Sequence, residues 1–265
     1  MTRILAIANQ KGGVGKTTTS VNLAASLADS GKRVLLVDMD PQGNATTGCG
    51  IDKSQLEAGV YELLTDQASV EAVIQPAGSG GFDVIGANSD LTAAEVELLQ
   101  VSAKESRLRY QLARVSQRYD YIIIDCPPSL NMLTVNALVA SDGVIITMQC
   151  EYYALEGLSA LLNTIRQIAR VLNPSLQLEG VLRTMYDPRN SLTNDVSAQL
   201  EEHFGDKLFR VCIPRNVRLA EAPSFGQPIL VYDPTSKGAI AYQGLAGELI
   251  RRHRQKSAQT SNAGV

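Results

Sequence analysis

Residues 9–18 read Asn-Gln-Lys-Gly-Gly-Val-Gly-Lys-Thr-Thr, between the apolar run Ile4-Leu-Ala-Ile-Ala8 and a helix-patterned segment, Thr17 to Asp29, that Gly31 ends. Strand, glycine-rich turn and helix in that order admit few architectures. The chain must leave a buried parallel strand and enter a helix whose first turn points N–H groups at an anion. Gly12, Gly13 and Gly15 reach backbone conformations closed to other residues, so successive N–H groups turn inward as a nest for phosphate oxygens. The helix dipole adds to that preference.

The ordinary phosphate-loop pattern, Gly-x-x-x-x-Gly-Lys-[Ser/Thr], needs glycine at position 10, and this chain has Gln10. The variant Lys-Gly-Gly-x-Gly-Lys-[Ser/Thr] fits at every position and brings a second lysine, Lys11. Lys16 is placed for the β- and γ-phosphates of a nucleotide, and the Thr17 hydroxyl for Mg²⁺. Lys11 starts the loop and is badly placed to duplicate Lys16. Either it is a solvated surface charge, or it reaches the γ-phosphate of a nucleotide held by a facing subunit, a lysine form of the arginine finger.

Two further apolar runs end in carboxylates: Arg33-Val-Leu-Leu-Val-Asp38, followed by Met-Asp-Pro-Gln-Gly-Asn44, and Tyr121-Ile-Ile-Ile-Asp125, followed by Cys-Pro-Pro. In an open parallel sheet the carboxyl edge is where a ligand lies, so Asp38, Asp40 and Asp125 are expected to converge on the loop. Asp125, after four apolar residues, matches the Walker B carboxylate that holds Mg²⁺ directly or through water. Asp38 and Asp40 compete to orient the attacking water. Pro41 bends the chain directly after Asp40, which favours Asp40 for the water and Asp38 for the outer shell of the metal.

Five stretches together resemble the ParA/Soj partitioning ATPases, chromosomal or plasmid: residues 11–18, 38–44, 122–129, 149–158 (Gln-Cys-Glu-Tyr-Tyr-Ala-Leu-Glu-Gly-Leu) and 213–224 (Ile-Pro-Arg-Asn-Val-Arg-Leu-Ala-Glu-Ala-Pro-Ser). The loop alone marks only the wider ParA/MinD group, and the last two stretches narrow it. The resemblance implies ATP and Mg²⁺ as cofactors, with Lys11, Gly12, Gly13, Val14, Gly15, Lys16, Thr17 and Thr18 around the phosphates. It implies Lys11 acting across an ATP-sandwiched homodimer, Gly12 where the subunits close, Asp40 on the hydrolytic water and Asp125 on the metal through water. Pro214 and Asn216 fall where the family holds adenine, and Arg189 and Arg218 where it contacts DNA. It also implies a ParB-type partner, non-specific double-stranded DNA and a cytoplasmic, nucleoid-associated location.

With 265 residues and 45% hydrophobic content the chain can bury a large core. Its βα units point to one doubly wound, mostly parallel sheet flanked by helices over 1–254, with Gly78-Ser-Gly-Gly81 as a loop and 255–265 as a disordered polar tail. No apolar stretch is long enough to span a bilayer, and the first strand begins without a signal peptide. Cys49, Cys126, Cys150 and Cys212 lack paired spacing, which fits buried or incidental thiols better than cluster ligands. Residues 1–179 carry 13 Lys and Arg against 19 Asp and Glu, while residues 180–265 carry 11 against 8. Arg183, Arg189, Arg210, Arg215, Arg218, Lys237, Arg251, Arg252, Arg254 and Lys256 supply the excess. Without a base-reading motif, DNA contact is expected to be to phosphate and salt-dependent. Two alternatives stand beside this. A MinD-like membrane-cycling ATPase needs an amphipathic C-terminal helix, whereas Ile240, Leu245, Leu249 and Ile250 read as a helix packing on the sheet. A nucleotide switch with negligible turnover fits poorly with both Lys11 and Asp40 present.

Overall fold

Apolar side chains alternate along the central strands and sort onto two faces, which is why the strand runs are continuous rather than alternating with polar residues. The computed structural model describes residues 2–152 and 154–262. Its strands are β1 Arg3–Ala8, β2 Val34–Asp38, β3 Ile74–Pro76, β4 Asp83–Ile85, β5 Tyr121–Asp125, β6 Gly143–Gln149, β7 Gln177–Tyr186 and β8 Leu208–Pro214. They form one sheet in the order β3-β4-β2-β5-β1-β6-β7-β8. Every neighbouring pair is parallel except β3 with β4, which the glycine-rich turn around Gly78–Gly81 joins as a hairpin. The doubly wound, mostly parallel sheet expected from the sequence is the one observed.

On one face Ile122 and Ile124 join Ala6, Ala8, Leu35 and Val37, covered by Leu108, Leu112, Leu133 and Leu138 from the helices Arg107–Val115 and Met132–Ala140. On the other, Ile123 joins Leu5, Ile7 and Leu36 beneath the helices Lys16–Asp29 and Lys237–Asn262. Those two helices lock together where the Thr19 and Tyr242 hydroxyls meet at 3.1 Å inside the core. β1 lies between β5 and β6, so a crevice opens at the carboxyl ends of the central strands, and the glycine-rich loop leaves β1 there.

Two expectations are corrected at the C-terminus. The last helix continues to Asn262, through most of the segment read as disordered. Extending an existing helix adds a hydrogen bond per residue without a new nucleation step, and Lys256 is anchored to Glu179 at 2.9 Å. Residues 263–265 of that tail, and Tyr153 in the 149–158 stretch, lie outside the described residues. The buried stripe of this helix is Ala239, Tyr242, Leu245, Ala246 and Leu249, with Ile250 half-buried against it, but Ile240 is 60% exposed. Among the described residues no helix is long and apolar enough to cross a membrane.

Candidate functional site

Gly13 and Gly15 take φ of 71° and 79°, the left-handed region that favours glycine, and this turns the loop in on itself before the helix Lys16–Asp29 begins. The buried Val14 holds the loop down, its carbonyl accepting from the Thr184 hydroxyl of β7 at 2.9 Å. Lys16 is buried, with Nζ donating to the Lys11 carbonyl at 3.1 Å. Burial lowers its pKa, against the pull of Asp125, Cys126 and Asp40. The Thr18 carbonyl accepts from Asn22 at 2.7 Å. A β-carbon on Gly12 would meet nothing within 4 Å, so that side of the loop is open.

Parallel pairing of β2 and β5 puts Asp38 beside Asp125. Asp125 is fully buried and accepts from Thr17 Oγ1 through Oδ2 and from Ser20 Oγ through Oδ1, each at 2.8 Å. Thr17 and Ser20 present both hydroxyls together because residues three apart share a helix face. Asp38, equally buried, accepts from the Thr46 N–H at 2.8 Å and hydroxyl at 2.7 Å, and from the Asp40 N–H at 3.1 Å. Both its oxygens are thus engaged in holding the segment 40–46. Burial raises the pKa of each carboxyl, and neighbouring charge raises it further, from Asp40 at Asp38 and from Asp38 and Asp40 at Asp125. Asp40 is buried too, though at 9% exposure less completely than Asp38 and Asp125, and its Oδ1 accepts from the Gln42 N–H at 2.9 Å. Mg²⁺ prefers one or two protein oxygens, several waters and substrate phosphates. Thr17 Oγ1 and Asp125, adjacent at the mouth of the phosphate loop, fit that demand. Among the described residues no group of three or more His, Cys, Asp or Glu has metal-holding geometry.

Lys11 departs from this cluster. Its side chain is 54% exposed and its Nζ pairs with Glu151 Oε2 at 2.5 Å, while its N–H donates to Asn9 Oδ1. Pro214 and Asn216 lie at the far edge of the sheet, beyond β6. Pro214 ends β8 opposite Tyr186, and Asn216 caps the short helix Val217–Glu221 by accepting from the Arg218 N–H. The loops carrying Arg189 and Arg218 are neighbours, joined by Arg215 N–H to the Tyr186 carbonyl at 3.4 Å. Arg189 pairs with Asp187 through two nitrogens, and Arg218 with Glu221 at 2.8 Å and Asp233 at 3.6 Å. Neither arginine hydrogen-bonds the phosphate loop among the described residues. Arg183, counted with the basic excess, is buried and bonds Ser197, Glu201 and the Phe209 carbonyl, so it belongs to the core. Arg252 is likewise tied to Glu248 at 2.7 Å. Cys49, Cys126 and Cys150 are buried free thiols, and Cys212 is a half-buried one.

Sequence reasoning missed Ser20, Thr46, Thr184 and Glu151. Helix spacing from Thr17 is enough to find Ser20. The others approach the site only through the path of later segments, which no local pattern encodes.

The AAA domain family model matches residues 2–178. The Bacillus subtilis sporulation initiation inhibitor protein Soj is 57% identical over 249 residues, 94% of this chain and 98% of that protein. The Caulobacter vibrioides chromosome partitioning protein ParA is 50% identical, with 98% of each chain covered. Among solved structures, a Mycobacterium smegmatis protein named cobyrinic acid a,c-diamide synthase, with bound ATP analog and magnesium, superposes with a TM-score of 0.85 at 38% identity over 96% of both chains. The Pyrococcus furiosus cell division ATPase MinD, at 24% identity and a TM-score of 0.79 over 95% of this chain and 99% of that one, shares the fold.

Proposed function

The chain belongs to the ParA/Soj family of chromosome-partitioning ATPases, and on that premise we propose that it hydrolyses ATP with Mg²⁺ as a dimer that binds DNA only while ATP is held between its subunits. The split between its two loop lysines carries this reading: Lys16 is folded into the cradle and Lys11 is turned outward onto Glu151.

The chain's own residues divide the work. The N–H groups of residues 12–18 and Lys16 bind the β- and γ-phosphates. Thr17 and Asp125 would hold Mg²⁺, which when bound offsets charge on the phosphate oxygens. Asp40, held by the Gln42 N–H, orients the attacking water. Lys11 exchanges Glu151 for the γ-phosphate of the facing subunit, where it stabilises the charge of the transferring group. The open side of Gly12 leaves room for that approach. Pro214 and Asn216 flank the adenine. Pairing sets the exposed Arg189 and Arg218 of both subunits on one composite surface that meets DNA phosphates without reading sequence. A ParB-type partner at a centromere site stimulates hydrolysis and so releases the dimer, which places the protein in the cytoplasm on the nucleoid.

DNA co-sedimentation with ATP, with ADP and without nucleotide tests this. Retention is expected with ATP alone. Equal retention in all three conditions contradicts the composite surface, and ATP-dependent sedimentation with anionic liposomes in place of DNA supports the MinD-like alternative.

A further inference from the structure

At the amino ends of β7 and β8, positive charge outruns the carboxylates available to meet it. Gly205 takes φ of 48° after the helix Ser191–Phe204, and the tight turn it makes delivers Lys207 to the start of β8. Three residues on, Arg210 is exposed on that strand, and the C-terminal helix packed against β8 brings Arg251, Arg252 and Lys256. These five cations line one open cleft of about 450 Å³, together with Glu179, Asp206 and Glu248.

Two of the three acids are already committed. Glu179 accepts from Lys256 at 2.9 Å and faces His253 at 3.3 Å. Glu248 accepts from Arg252 Nη2 at 2.7 Å, and its two oxygens accept from the Arg210 and Val211 N–H groups at 3.0 and 3.1 Å. Arg252 is fixed further by the Leu208 carbonyl at 2.9 Å and by the Phe209 ring, whose centroid lies 4.3 Å from its guanidinium carbon. Lys207, Arg210 and Arg251 have no ion pair among the described residues, and only Asp206, itself unpaired, is left to set against them. The excess is two positive charges. Lys207 bears most of the strain, because it is half-buried. Burial lowers its pKa, and the charges of Lys256 and Arg252 lower it further, against the pull of Glu179. An ammonium kept half out of water among like charges costs free energy until an anion joins it.

We propose that this cleft binds a compact phosphate compound carrying at least two negative charges, at a site separate from the phosphate loop. The charge excess sets the charge of the ligand. A lysine point charge beside arginine forks is the donor set that phosphate groups take, and the volume lies within the range of small-molecule sites. Duplex DNA fits less well, since the acids interleaved with the cations repel a continuous phosphate backbone. The seven residues of β8 also set the cleft roughly 20 Å from the loop that carries Arg218. A phosphate held here ties the turn before β8 to the C-terminal helix. The site does not depend on the ATPase reading.

The probe is inorganic pyrophosphate, titrated calorimetrically against the full chain with the phosphate loop filled by ADP and Mg²⁺ in excess. Saturable binding that weakens as salt rises is expected. Lys207→Gln is expected to lose at least about tenfold in affinity, the scale of one charge-assisted hydrogen bond, and Lys207→Arg to keep it. Arg254→Gln removes an exposed cation of the same helix from outside the cleft and is expected to leave affinity unchanged. A second arm replaces pyrophosphate with cytidine diphosphate. Tighter binding than pyrophosphate marks a phosphate ester as the ligand, equal or weaker binding marks a free phosphate compound, and either supports the site. No binding of either probe, full affinity in Lys207→Gln, or equal losses in Lys207→Gln and Arg254→Gln overturns it. A short DNA duplex that displaces pyrophosphate in the presence of ADP also overturns it, because the cleft then belongs to the DNA surface. Binding seen only when ADP is left out belongs to the phosphate loop, which overturns the cleft and leaves the ATPase reading intact.

Discussion

β5 ends at a buried carboxylate, and its other end borders one, and the two are treated in opposite ways. At its carboxyl end Asp125 is held by the Thr17 and Ser20 hydroxyls, and no cationic side chain lies within ion-pair distance among the described residues. Burial and the neighbouring Asp38 drive its pKa up. At the amino end the Tyr121 hydroxyl meets His253 Nδ1 at 3.1 Å, and His253 Nε2 lies 3.3 Å from Glu179, which Lys256 also pairs at 2.9 Å. Burial works to raise Glu179 as well, but hydrogen bonds and charge from His253 and Lys256 bring it down to about 2. The chain closes its charge at one end, and that end fastens the C-terminal helix. At the other it gathers three carboxyls beside a phosphate loop with Lys16 as the nearby buried cation, and none of the three is ion-paired among the described residues. A buried charge is costly unless it is paired, so the second arrangement favours a function rather than the apo fold.

The largest effects fall at the open end. Asp40→Ala is expected to lower turnover by ~10²–10⁴-fold, the usual share of positioned proton chemistry, while ATP binding and pairing persist and retention on DNA lengthens. Turnover at the unsubstituted rate moves the water-orienting role to Asp38. Lys16→Ala is expected to weaken nucleotide binding itself by about 2–5 kcal/mol, the scale of losing one partner of a buried charged contact. A titration giving unchanged affinity removes Lys16 from the phosphates.

Stability measurements address the contrast itself. The raised carboxyl pKa of Asp125 costs the nucleotide-free fold stability at neutral pH, where the unfolded chain would be ionised, and the cost is relieved as pH falls from the raised value towards the ordinary aspartate value. Asp125→Asn is therefore expected to raise the Tm of the nucleotide-free protein while abolishing turnover. Glu179 has the opposite sign. Its contribution is present above the ordinary glutamate value and is lost as pH falls towards about 2. Glu179→Gln is expected to cost on the order of 1–3 kcal/mol at neutral pH, with the difference from the unsubstituted protein closing in acid. If both substitutions lower Tm alike at neutral pH, the two ends are equivalent and the contrast is lost.

The smallest effect belongs to Arg218. If it contacts phosphate, Arg218→Ala lowers the slope of log affinity against log salt by about 0.9 per lost contact, for every DNA sequence alike and only with ATP. Loss confined to one sequence contradicts a backbone contact. The change is small because Arg218 already has exposed local partners in Glu221 and Asp233, and exposed ion pairs are worth little.

The open end was largely legible in the sequence, because local chemistry dictates it. Glycines at positive φ, a lysine and threonine opening a helix, and aspartates closing apolar strands all announce themselves within a few residues. The closed end was not. Glu179, His253 and Tyr121 are far apart in sequence, and only the packing of the last helix on the sheet unites them. That packing leaves Ile240 in solvent, while Ser197 and Glu201 of the helix Ser191–Phe204 and the Phe209 carbonyl make Arg183 a core residue, assignments that residue type alone gets backwards. Composition misjudged residues 255–262 because polar side chains say little about a helix that is already nucleated and anchored.

Light scattering of the Lys11→Ala variant addresses most directly whether the open end is completed from a second subunit. The unsubstituted protein is expected to pair with ATP and to be monomeric with ADP. Lys11→Ala is expected to bind ATP with unchanged affinity, since Lys11 is turned onto Glu151 rather than into its own cradle, and to remain monomeric without turnover. A Lys11→Ala protein that still pairs when ATP is added contradicts the assignment of Lys11 across the interface.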